Sequence, residues 1–174
     1  ATGNSGEGLF TAEDTDGDKG KVEWTIQHPN VFLTKSDGDS DWLSTPDDDL
    51  WGHESKRKSV YDPCPSGWRV PVHGGTAETS PLYGFTTSNG TWSTSSPFGP
   101  GGWSWDDNAL YPGTGSRPYG DGTLSVGGMS GNYWSATPND NDAFEFLHFS
   151  SGYSISLAQY SARAYGFSVR CVKE

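Results

Sequence analysis

The chain is 174 residues long, with 22 acidic residues against 11 basic ones and a formal net charge of −11. A surface this negative repels phosphate backbones and anionic lipid, so composition argues against nucleic acid as a partner and against membrane surfaces. Hydrophobic residues make up only 32 %, yet aromatics reach 14 % with eight tryptophans, so the core must be built from few, large side chains.

The length predicts one domain, and no apolar run approaches the length needed to insert in a membrane. Residues 1–20 are small, polar and acidic and read as a flexible acidic leader, which leaves residues 21–174 for the domain. Asp14, Asp16 and Asp18 alternate as in calcium loops. Lys19 stands where that loop needs glycine, however, and Thr25 where it needs glutamate. A solvated acidic turn is the simpler reading.

Val22, Trp24 and Ile26 alternate and predict a strand, and Val31-Phe32-Leu33 predicts a second after the His28-Pro29 break. Residues 36–50 form another acidic loop, with Asp37, Asp39, Asp41 and then Asp47-Asp48-Asp49, and with Trp42 as its apolar anchor. No cofactor is expected, calcium in one of the acidic loops being the exception these residues allow. Lys56-Arg57-Lys58 reads as a solvated turn.

The most distinctive phrase is DPCPSGWRVP, residues 62–71. Two prolines fix the backbone around Cys64, and Gly67 then turns the chain and carries the Trp68 indole toward the core. Trp24 and Trp134 are core candidates too. The two cysteines, Cys64 and Cys171, are an even count in a loop-rich, tryptophan-rich chain, which suggests a disulfide; two buried free thiols are the alternative.

Residues 76–105 are rich in Gly, Ser, Thr and Trp, without helical or strict strand period, and read as an ordered loop. Its landmarks Trp92, Trp103 and Trp105 are candidates to line a binding groove. Asn89-Gly90-Thr91 is a glycosylation sequon, meaningful in a eukaryotic secretory setting. Residues 109–124 read as strand, turn and strand.

Three strands are predicted near the C-terminus, at 133–137, 143–149 and 167–172. Within 143–149, Leu147 and Phe149 suit a core. Alternation then sends Phe144, Phe146 and His148 to the other face, beside loops carrying Asn139, Asp140, Tyr153, Tyr160 and Tyr165. An exposed aromatic cluster of this kind is a ligand platform. Arg163 and Arg170 are expected to brace loops.

The motifs DPCPSGWRVP, ALYPGTGSRPYGDGTL (109–124), GNYWSAT (131–137) and GFSVRCV (166–172) resemble, in their order, the C-terminal domain of fimbrillin-type surface proteins of Bacteroidetes and the repeated surface proteins related to it. They also resemble the C-type lectin-like fold, and the ending is similar to retroelement-diversified proteins of that fold. The resemblance implies an α+β, C-type lectin-like domain: a twisted antiparallel sheet, one or two short helices and long irregular loops.

It also implies a secreted or surface-displayed module for cell adhesion, pilus-borne or attached to the outer membrane. That module would recognise a host or microbial glycan or surface protein. A structural pilus or surface-layer subunit, meeting other subunits, is the alternative. The four histidines are scattered and no nucleophile elbow is present, so no enzyme is expected.

Overall fold

A computed structural model of the protein describes residues 11–35, 41–55, 57–73, 84–96, 99–105, 109–125, 127–139, 142–151, 154–157 and 159–174. Two sheets enclose the core. The first is an antiparallel meander of β4 (Gly90–Ser96), β5 (Gly99–Trp105) and β6 (Ala109–Pro112). In the second, β7 (Ser130–Asn139) pairs antiparallel with β8 (Asp142–Ser150), whose other side carries β9 (Ser154–Ser156) and β10 (Gln159–Ala162).

Alternation along β5 puts Trp103 and Trp105 on one face, where their rings stack 5.5 Å apart. They meet Tyr111 of β6, Tyr133 of β7, and Leu147 and Phe149 of β8 in one buried cluster. Edge-to-face contacts tie the sheets together: Trp105 to Phe149 at 6.4 Å and Tyr111 to Tyr133 at 5.6 Å.

The rings have room because glycine sits opposite them. Gly90 is the register partner of Trp105, and Gly131 that of Phe149. A Cβ at either glycine would lie 2.3 Å from the facing ring. In these strands glycine is a seat for an aromatic ring.

Among the described residues there are also two smaller sheets. β1 (Thr11–Asp14) runs parallel to β2 (Val31–Thr34), with Thr11 opposite Val31. β3 (Trp68–Arg69) pairs antiparallel with β11 (Val172–Lys173). Beside β3 and β11, Cys64 and Cys171 form a disulfide with Cα atoms 5.7 Å apart. The buried Asp62 carboxylate organises this corner, accepting hydrogen bonds from the Cys64 and Val70 amides at 2.8 and 2.9 Å and from Lys58 Nζ at 2.8 Å.

This mostly β architecture of several small sheets corrects the expected α+β, C-type lectin-like class. Among the described residues the one α-helix, α1 (Val22–Gln27), has six residues and lies where a strand is predicted. Three alternating residues are too few to separate a period of 2 from one of 3.6. Local contacts decide: Thr25 Oγ1 donates to the Val22 carbonyl at 2.8 Å, and Trp24 stacks on His28 four residues on, at 3.9 Å. Ile26 is left exposed.

Residues 11–20, read as leader, contain β1 and a 3-10 turn, Gly17–Gly20. Their carboxylates face lysines, Lys19 contacting Glu13 and Asp16, and Lys21 contacting Asp18. Trp68, expected inside, is 44 % exposed on the short β3. Trp134 is buried, as predicted. No helix among the described residues is long and apolar enough to cross a membrane.

Candidate functional site

A cleft of about 380 Å³ opens between the segment 42–51 and the segment 163–169, with β2 and β7 at its back. The C-terminal wall is laced to the core by backbone pairing. The Trp134 amide donates to the Ser168 carbonyl at 2.9 Å and the Ser168 amide to the Asn132 carbonyl at 3.0 Å. Gly166 and Arg117 exchange two backbone hydrogen bonds, each 2.9 Å.

Aromatic rings pave this wall. Phe167 lies 4.5 Å from Trp134 and stacks on Tyr165 at 5.2 Å, and Tyr165 meets Tyr119 edge-on at 5.1 Å. Phe32 of β2 lies against Gly166, where a Cβ would sit 2.8 Å from its ring. The facing wall supplies Trp42, Leu50 and Trp51 together with Asp47 and Asp48. Trp42, Trp51, Phe32, Tyr165 and Phe167 are half-buried, so each still shows part of its surface to the cleft.

One side chain joins the walls. Arg163 donates through Nη1 to Asp41 Oδ2 at 3.1 Å and through Nη2 to Asp48 Oδ1 at 2.5 Å. Asp41 is fully buried and also accepts from the Leu43 amide at 2.9 Å, whereas the Asp48 side chain is 54 % exposed. Arg163 thus braces the loops through charge-assisted hydrogen bonds to Asp41 and Asp48. Among the described residues no group of three His, Cys, Asp or Glu is arranged to hold a metal.

The residues singled out from sequence scatter. Trp103 and Trp105 are 3 % and 2 % exposed, so they are core residues rather than groove lining, because their face of β5 points at the second sheet. Trp92 is half-buried, edge-on to Trp103 and Phe149 at 6.1 Å each, and packs on the same core. Asn139 ends β7 opposite Asp142. Asp140 and Tyr153 lie outside the described residues, and Phe144 and Phe146 fall in β8 where the backbone alone is described.

His148 Nδ1 is 2.6 Å from Asn132 Oδ1, and burial pushes its pKa down. Tyr160 is 57 % exposed on β10, opposite Phe144 in register. Of the predicted ligand residues described in full, Tyr165 is the one that lines the cleft.

Sequence reasoning passes over Phe32, Trp51 and Phe167, and treats Trp42 only as an anchor. A usable signal exists: Trp42 and Trp51 bracket an acidic loop containing Pro46, a polar turn with an indole at each end. No protein-family model, curated protein or solved structure matches the chain.

Proposed function

We propose that the protein is a secreted or surface-displayed recognition module of adhesion type, and that it binds a glycan in the cleft between residues 42–51 and 163–169. One observation carries the reading: half-exposed indole and phenyl faces line a cleft of about 380 Å³ whose polar groups are few and fixed. Small-ligand sites are built this way, with apolar walls for contact and a few placed polar groups for orientation. Aromatic faces stack on the C–H faces of sugar rings, and the rim carboxylates accept hydroxyl hydrogen bonds.

The Cys64–Cys171 disulfide supports an oxidising compartment. The motif likeness to fimbrillin-type surface proteins supports the same setting. This reading assigns binding and no reaction. Glycan-array screening of the folded chain tests it. Binding that is abolished by Trp51→Ala is expected, and binding untouched by that change would overturn the assignment to this cleft.

A second reading, a structural subunit that meets its neighbours edge to edge, is favoured by the exposed Tyr160 on β10, which lies at the end of its sheet. Concentration-dependent assembly in light scattering, lost in Tyr160→Lys, would support it.

A further inference from the structure

We infer that the cleft selects by charge, taking uncharged saccharides and rejecting acidic ones such as uronic acids; this rests on the glycan reading above. The charged residues among its described lining are Asp47, Asp48 and Arg163. A lone arginine in an aromatic cleft would invite a carboxylate. Here that invitation is already taken.

Arg163 gives one nitrogen to the buried Asp41 and another to Asp48, so both ends of its planar fork are committed to carboxylates of this chain. Among the described lining two carboxylates, Asp47 and Asp48, stand against the one guanidinium. The wall therefore carries excess negative charge, within a chain whose net charge is −11. Among the described lining residues the one cation is already engaged, so an incoming carboxylate meets repulsion, whereas a hydroxyl donor meets acceptors.

Asp48 is the specificity-determining residue. Its Oδ1 accepts from Arg163, which fixes the carboxylate, while the side chain stays 54 % exposed at the cleft. A carboxylate has about four lone-pair sites, so one bond from Arg163 leaves acceptor capacity for a ligand hydroxyl. Asp47 is held beside it, its Oδ1 accepting from the Asp49 amide at 2.9 Å.

The test uses gluco-, galacto- and manno-configured hexaoses, each paired with the counterpart oxidised to the uronate at C6, titrated calorimetrically into the folded chain. The neutral member of at least one pair is expected to bind, with its uronate about tenfold weaker or worse, the effect of roughly one unit charge at close range. Raising salt and the Asp48→Asn variant should both narrow that gap. A uronate binding as tightly as its neutral partner would overturn the charge selection and leave the glycan reading standing. Binding by no member of any pair would overturn both.

Discussion

Arg163 Nη1 lies 3.1 Å from Asp41 Oδ2, an ion pair spanning 122 residues of sequence that joins the two walls of the aromatic cleft. Both side chains are withdrawn from water, at 10 % and 1 % exposure. Removing one partner takes a counter-charge away from a buried charge, which costs up to about 3–5 kcal/mol. Arg163→Ala is therefore expected to lower the urea-unfolding free energy by about that amount and to abolish ligand binding at the cleft. A loss of under about 1 kcal/mol would mean that the pair behaves like a surface contact.

Glycines opposite the core rings should resist even a methyl group. Gly131→Ala places a carbon 2.3 Å from the Phe149 ring, and Gly90→Ala places one 2.3 Å from the Trp105 indole. Overpacking of this kind costs about 1–3 kcal/mol, so each variant should shift the denaturation midpoint down. Gly120→Ala, where nothing lies within 4 Å, should leave it within about 0.5 kcal/mol of the parent.

The disulfide closes a loop of 107 residues. In the chain-entropy picture a crosslink of that span contributes at most about 4–5 kcal/mol. The Cys64→Ala/Cys171→Ala double variant, and the reduced parent, should both lose stability of that order in urea titrations, and the two should agree with each other.

Burial pushes the pKa of His148 down from the ordinary 6.5, and burial does the same to His73, partly offset by a hydrogen bond with the Leu157 backbone. The folded state therefore binds the proton less readily than the unfolded chain. Stability from these groups is complete above about pH 6.5, is lost as the pH falls from there to the lower folded values, and levels off below them. Unfolding free energies measured from pH 7.5 downward should show that decline. The His73→Gln/His148→Gln variant should flatten it.

The sequence made β7 and β8 legible, because aromatic and β-branched residues cluster there between polar breaks, whereas the strand expected at 167–172 is irregular apart from an isolated bridge at Ser168 and the start of β11 at Val172, and β9 and β10 were not foreseen. It made Cys64 and Cys171 legible as a pair to consider, and Arg163 as a loop brace. Two things were hidden. The helix Val22–Gln27 is fixed by the Trp24–His28 stack, an i,i+4 contact that three alternating apolar residues disguise as a strand. The destination of each tryptophan was hidden as well. Trp103 and Trp105 look like loop aromatics until a second sheet covers them, whereas Trp42 looks like a loop anchor, and Trp51 draws no notice, until Arg163 ties their segment to the C-terminal wall. Contacts between segments distant in sequence make that choice, and the local pattern of two indoles bracketing an acidic turn only hints at it.

The most direct measurement is an NMR titration that follows the indole and backbone N–H signals as an array-selected oligosaccharide is added. Trp42 and Trp51 should shift and saturate together, while the buried Trp103 and Trp105 stay in place. Saturable shifts confined to Tyr160 and its β10 neighbours, with both cleft indoles unmoved, would contradict the placement of the ligand in the cleft.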